Sequence, residues 1–152
     1  MRYIVLVLSL VACSATASPA EREGWAVIET SHVYQDLVDR VKTATKANKM
    51  GVVTEAGPTE AAANRGVTIP GNRVIGVYNN DFAVRMLEAS EAAMIEAPIR
   101  FYVTEQEDGT ATLSYKTPSL VFSPYAEDSP EVMIIAKELD VVFEKIAEDA
   151  VK

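Results

Sequence analysis

Residues 99–116, IRFYVTEQEDGTATLSYK, contain the pattern that decides the fold. Two runs rich in strand-forming residues, Ile99–Glu105 and Thr110–Lys116, flank Glu107-Asp108-Gly109, which is typical of a hairpin turn. In the second run, polar residues at positions 110, 112, 114 and 116 alternate with apolar ones. The pattern predicts an antiparallel hairpin with one buried face and one face exposed to water.

Working outward from the hairpin, apolar periodicity predicts strands that alternate with helices. The upstream strands are predicted at residues 25–29, 51–54 and 73–78, and the upstream helices at residues 33–48, 59–65 and 82–91. Residues 117–129 contain two prolines and precede Pro130, so we expect a loop there, followed by a last helix to residue 151. The order β-α-β-α-β-α-β-β-α predicts one α+β domain of two layers, with a mixed or antiparallel sheet covered by helices.

The first residues have the three-part form of a secretory signal. Arg2 is followed by the apolar run YIVLVLSLVA and by small residues that include Ala15 and Ala17. We therefore expect a signal peptide over residues 1–17, a polar leader over 18–22, a domain over 23–151, and a periplasmic or secreted protein. The apolar run is half of the roughly 20 residues that a membrane-spanning helix needs, so no transmembrane span is predicted in the mature chain.

A second processing signal overlaps the first. Leu10-Val11-Ala12-Cys13 resembles a bacterial lipobox, which would make Cys13 a lipidated N-terminus on the bacterial envelope. Cleavage after Ala17 would instead remove Cys13, the only cysteine of the chain, and with it any thiol or disulfide chemistry.

Composition excludes several classes of function. The chain of 152 residues has 14 Lys and Arg against 22 Asp and Glu, a net charge of −8, which argues against a nucleic-acid partner. One cysteine and one histidine cannot form a thiolate zinc site, an iron–sulfur site or a multi-histidine metal site. His32, Asp36 and Asp39 could share one helix face, but the spacing fits a solvated face better than a metal site. We therefore expect no cofactor and no metal.

The turn Tyr78-Asn79-Asn80-Asp81 is the most suggestive place for a ligand. It joins a predicted strand to a predicted helix, where free backbone N–H groups can hold an anion. Arg73 and Arg100 could add positive charge, so Arg73, Asn79, Asn80 and Arg100 form the candidate binding set. The alternative is ordinary capping of the helix by Asn80 or Asp81.

Several stretches together resemble the domain of unknown function 302 family. They are NKMGVV, IPGNRVIGVYNNDFAVRMLEAS and APIRFYVTEQEDGTATLSY, followed by Pro118, and the resemblance covers about residues 23–151. It implies an α+β sheet-and-helix domain that often forms a homodimer, and it implies no assigned activity.

This chain departs from the family pattern at two places. Many relatives have Asn-Pro where this chain has Asn79-Asn80, and many have a cysteine where this chain has Ile99 after Pro98. A thiol or metal role therefore cannot be transferred, and the resemblance supplies no catalytic residue.

The leading hypothesis is a non-enzymatic exported domain that binds a small ligand or a protein partner, as a homodimer. The first alternative is a small metal-independent hydrolase or isomerase that uses carboxylate, tyrosine and arginine groups. The carboxylate clusters at residues 105–108 and 127–128 could serve such chemistry, but charged clusters on turns are more often solvated surface. The second alternative is an envelope protein anchored through Cys13.

Overall fold

The computed structural model describes residues 22–152, so the predicted signal peptide, Cys13 and most of the polar leader lie outside the described residues. This part of the chain contains the strands β1 (Trp25–Val33), β2 (Gly51–Ala56), β3 (Asn72–Tyr78), β4 (Ile99–Glu105) and β5 (Thr110–Lys116). Its α-helices are α1 (Tyr34–Ala47), α2 (Thr59–Ala63), α3 (Asn80–Ala89), α4 (Pro118–Phe122) and α5 (Pro130–Val151). Two 3₁₀ turns follow α3 and α4, at Ala92–Glu96 and Ser123–Tyr125. Among the described helices, none is both long enough and apolar enough to cross a membrane.

The strands form one sheet in the order β1-β5-β4-β3-β2, and every neighbouring pair is antiparallel. This arrangement confirms the predicted α+β class, and the element order matches the prediction apart from the additional helix α4 and the two 3₁₀ turns. The three inner strands pair in continuous register. Each edge strand is irregular: the β1–β5 register shifts between Glu29 and Val33, and the β2–β3 register shifts between Val52 and Thr54.

The core lies between one face of the sheet and the helices. Helix α1 packs across the strands and against α5, which also contacts α3 and α4. The Phe143 ring of α5 stacks on the Phe101 ring of β4, with centroids 4.7 Å apart, and Tyr115 of β5 packs its ring edge-on against Phe101. Because both phenylalanines are fully buried, this cluster holds the long helix on the central hairpin.

The opposite side of the sheet, called the open face here, is not the wet surface that the alternation in β5 predicts. Its side chains, placed by strand register, include Trp25, Val27, Glu29, Asn72, Val74, Arg100, Tyr102, Thr104, Thr112, Ser114 and Lys116. Lys116 is exposed, but Thr112 and Ser114 are fully buried. The prediction fails because short hydroxyl side chains are shielded by longer neighbours: Ser114 lies between Val27 and Tyr102, and Gln106 donates to the Thr112 hydroxyl at 2.9 Å.

Several element boundaries differ from the predicted ones by one or two residues, and two regions differ by more. The first strand continues to Val33, because the Thr30 hydroxyl donates to the Ala111 carbonyl at 2.7 Å instead of capping α1. The region 117–129, predicted as a loop, contains helix α4, whose first residue is a proline and whose N-cap is Thr117. Proline at the first helical position lacks an N–H that would be unpaired there anyway, so it starts this helix without breaking it.

Two substitutions on α5 test the role of the aromatic cluster. Phe143→Ala should lower the free energy of unfolding by about 3–5 kcal/mol, the usual loss for deleting a buried aromatic side chain. Val141→Ala, two residues away and 66% exposed, should change it by less than about 0.5 kcal/mol. Chemical denaturation of both variants measures the difference, and equal losses would contradict this account of the core.

Candidate functional site

The turn before α3 is occupied by its own capping side chain. The Asn79 carboxamide oxygen accepts from the backbone N–H groups of Asp81, at 2.8 Å, and Phe82, at 3.3 Å. Its amide nitrogen donates to the Lys49 carbonyl at 2.9 Å. Asn80 is the exposed first residue of α3, so the expectation that Asn80 or Asp81 caps the helix is wrong. The N–H groups suggested for an anion already bond to Asn79.

The structure does not bring Arg73 and Arg100 together. Arg73 is paired with Val103 and lies on the helix-covered side, where it forms ion pairs with Glu55, at 3.8 Å, and with Glu60. Arg100 is paired with Gly76 on the open face. The two guanidinium groups therefore lie on opposite sides of the sheet, and Arg73 is already neutralised by two carboxylates.

Arg100 belongs instead to a groove of about 450 Å³ on the open face, called the open-face groove here. Strand residues form its floor and walls: Trp25, Asn72, Val74, Arg100, Tyr102 and Lys116. The 3₁₀ turn after α3 contributes Glu96 and helix α4 contributes Val121. A groove of this volume is within the size range of small-molecule sites.

Two cations in this groove have no carboxylate partner. Within residues 22–152, neither Arg100 nor Lys116 forms an ion pair, whereas Lys42, Arg85 and Lys145 each do. The Lys116 ammonium lies 5.6 Å from the centroid of the Trp25 ring, a distance at which the ring face attracts a cation. The groove therefore combines an aromatic surface with two cations that pair with no carboxylate of residues 22–152.

The aromatic and acidic side chains of the groove are held in place by hydrogen bonds. The Asn72 amide donates to the Tyr102 hydroxyl, which fixes the Tyr102 ring. The Tyr125 hydroxyl donates to the Glu96 carboxylate at 3.0 Å, and this bond holds the pKa of the Tyr125 phenol above its usual value. Side chains restrained in this way lose little conformational freedom when a ligand binds.

The floor of the open face also contains buried hydroxyl groups without partners. Ser114 Oγ and Thr104 Oγ1 are buried and make no hydrogen bond within the described residues. An unpaired buried hydroxyl is costly in a natural core, and most such groups find a partner. Ser114 is paired with Tyr102 across β4 and β5, and Thr104 follows Tyr102 by two residues on β4. Both hydroxyls are therefore next to a side chain that lines the groove.

Three of the five carboxylates of the enzymatic alternative are engaged in structural hydrogen bonds. Glu105 accepts from the Gly71 N–H at 2.6 Å, Asp108 accepts from both the N–H and the hydroxyl of Thr110, and Asp128 accepts from the Ser90 hydroxyl. Hydrogen bonds from Thr110 hold the pKa of Asp108 below its usual value. A carboxyl group that acts as a general acid needs a raised pKa, and the shift of Asp108 has the opposite sign.

His32 connects two ends of the fold. Its ring nitrogens lie 3.2 Å from the Asp36 carboxylate and 3.2 Å from the carbonyl of Val151 at the end of α5. Asp39 turns away to Gln35 and Lys42, so the three side chains do not converge. Among residues 22–152, no cluster of histidine, cysteine and carboxylate side chains is arranged to hold a metal ion.

Sequence reasoning found Arg100 but missed Trp25, Tyr102 and Lys116. The register that places Trp25 opposite Lys116 joins the first and the fifth strand, and local patterns do not reveal a pairing between such distant segments. The available signal was the alternation in β5, which does place Lys116 on the open face.

Comparisons with known proteins identify relatives of this fold. The family model described as "Domain of unknown function DUF302" matches residues 27–150. The structure is similar to the crystal structure of an uncharacterized conserved protein of this family from Bacillus stearothermophilus, with a TM-score of 0.71 and 18% sequence identity. The alignment covers 86% of this chain and 100% of that chain. No curated protein matches the sequence.

The capping role of Asn79 can be tested against its neighbour. Asn79→Ala should lower the free energy of unfolding by about 1 kcal/mol, because two N–H groups of α3 lose their acceptor. Asn80→Ala should have little effect, since the described structure gives the exposed Asn80 side chain no hydrogen bond. Thermal or chemical denaturation compares the two variants, and a larger loss in Asn80→Ala would refute the assignment.

Proposed function

Since the chain belongs to the DUF302 family, whose description names no activity, we propose its function from its own geometry. We propose that it is a non-enzymatic binding domain, and that the open-face groove takes a small ligand. Of the binding residues predicted from the sequence, this proposal keeps only Arg100. It adds Trp25, Tyr102 and Lys116.

One observation carries this proposal: two cations without carboxylate partners among the described residues line the same groove as three aromatic side chains, Trp25, Tyr102 and Tyr115. In a chain with a net charge of −8, acidic side chains are plentiful, and six other Lys and Arg side chains among the described residues are paired with them. Positive charge left free beside Trp25 and Tyr102 supports recognition of a ligand from outside the chain.

We also propose that the protein is exported, with cleavage after Ala17. The support is the order of Arg2, the apolar run and the small residues before Ser18. Lipidation at Cys13 is the competing form of export, and it would keep the domain on the bacterial envelope.

A thermal-shift screen of the purified protein tests the groove. A compound present at about 100 times its dissociation constant should raise the melting temperature by about 5 °C or more. The increase should be lost in Arg100→Gln and in Tyr102→Ala.

The matched control for Arg100→Gln is Arg65→Gln. Arg65 is exposed, lies in the segment after α2 and does not line the groove. Arg65→Gln should respond to each compound as the unmodified protein does. If every compound that stabilises the protein also stabilises the two groove variants equally, the groove is not the binding site.

A second candidate function uses the same surface for homodimer formation. The open face is cationic at the end that carries Lys116, whereas Glu29, Glu107 and Asp108 lie together at the other end. Glu29 and Trp25 are four residues apart on β1, which corresponds to about 13 Å. Two copies packed face to face, related by a twofold axis across the strands, would place each cationic end on the other's acidic end.

The homodimer is tested by charge reversal. Glu29→Lys and Lys116→Glu should each weaken self-association by about tenfold, and the double variant should recover much of it because the complementarity is restored. The control is Glu88→Lys, which makes the same change of charge at an exposed position of α3, away from the open face. Light scattering over a range of concentrations measures association; a monomer throughout, or equal effects of Glu29→Lys and Glu88→Lys, would rule out this interface.

A further inference from the structure

We propose that the ligand of the open-face groove is an organic anion with a flat aromatic body. This inference rests on the function proposed above and adds the chemical class of the ligand. It assigns the aromatic body to the surfaces of Trp25 and Tyr102 and the anionic group to Arg100 and Lys116.

The charge of the ligand follows from the groove cations. Arg100 and Lys116 have no ion pair within the described residues, so an anion that binds them does not have to displace a carboxylate. Glu96 also lines the groove, but no oxygen of Glu96 lies within 4.0 Å of either cationic group, and it accepts a hydrogen bond from Tyr125. The negative group of the ligand is therefore expected at the Arg100–Lys116 side and away from Glu96.

The aromatic body of the ligand is inferred from the side chains that line the walls of the groove. Trp25 and Tyr102 offer two ring surfaces, and Val74, paired with Tyr102, and Val121 add apolar lining. Flat rings stack on such surfaces with a geometry that an alkyl chain cannot reproduce. The Tyr102 ring is fixed by a hydrogen bond from Asn72, so its stacking surface is formed before the ligand arrives. The Lys116 ammonium and the Arg22 guanidinium each lie 5.6 Å from the centroid of the Trp25 ring, so positive charge surrounds the second ring.

The volume of the groove favours an aromatic anion over a simple inorganic anion. A volume of about 450 Å³ is much larger than a phosphate or sulfate ion, which would leave both rings uncovered. A molecule with two fused rings and one acidic group fills the apolar wall and reaches the cations together.

The experiment uses a probe of this class and a neutral counterpart. The probe is 8-anilinonaphthalene-1-sulfonate, and the counterpart is N-phenyl-1-naphthylamine, which has the same ring system without the sulfonate. Trp25 is the only tryptophan of the chain, so energy transfer from tryptophan to the bound probe reports that the probe lies near this groove.

We expect the sulfonate to bind at least about tenfold more tightly than the neutral amine. Arg100→Gln and Lys116→Gln should each reduce the affinity for the sulfonate by about tenfold and leave the amine unaffected. Arg65→Gln and Lys137→Gln remove the same two kinds of charge from exposed positions outside the groove and should change neither affinity. Circular dichroism verifies that each variant is folded.

A displacement arm distinguishes aromatic from aliphatic acids. 1-Naphthylacetate should displace the sulfonate probe at a lower concentration than decanoate, which has a similar number of atoms but no ring. Equal or better displacement by decanoate would overturn the aromatic body, and equal binding of the neutral amine would overturn the anionic group.

The outcomes separate this inference from the proposed function. If compounds of another class bind and lose affinity in Tyr102→Ala, the groove is a binding site and the ligand class is wrong. If no compound loses affinity in any groove variant, both the class and the proposed function fail.

Discussion

The stacking of Phe143 on Phe101 is the contact on which the arrangement of the two layers depends. Phe101 lies in the central hairpin, and Phe143 is near the middle of the 22-residue helix α5. Because the long helix also packs against α1, α3 and α4, this contact positions the helical layer relative to the sheet. With all the large helices on one side, the other face is left to a ligand or a partner, and the site is a consequence of this one-sided packing.

Local patterns predicted the elements of this fold well, and non-local pairing explains what they missed. Strands β4 and β5 have the predicted bounds, and α5 begins at Pro130 as its N-cap Ser129 indicates. The extension of β1 to Val33 could not be predicted, since it depends on pairing with β5 about 80 residues later. The burial of Ser114 escaped prediction for the same reason, because the neighbours that shield it belong to β1 and β4.

The candidate site illustrates how a residue can be predicted for the wrong reason. Arg100 was selected as a neighbour of the turn at Asn79, but strand register places it on the open face, beside Trp25 and Lys116. Arg73 matched the same pattern and yet faces the helices, where Glu55 and Glu60 neutralise it. Alternation along a strand separates these two arginines only when the register between β3 and β4 is known.

The irregular edge strands have a consequence for the solution behaviour of the protein. A regular edge strand offers unpaired N–H and C=O groups to the strands of other molecules, and this is a common route to aggregation. Here both edges, β1 and β2, have a shift in register, whereas the inner strands are continuous. Such interruptions twist an edge and limit the length over which a foreign strand can pair. The domain is thus protected against growth by strand addition at its two sides and stays open to contact through its face.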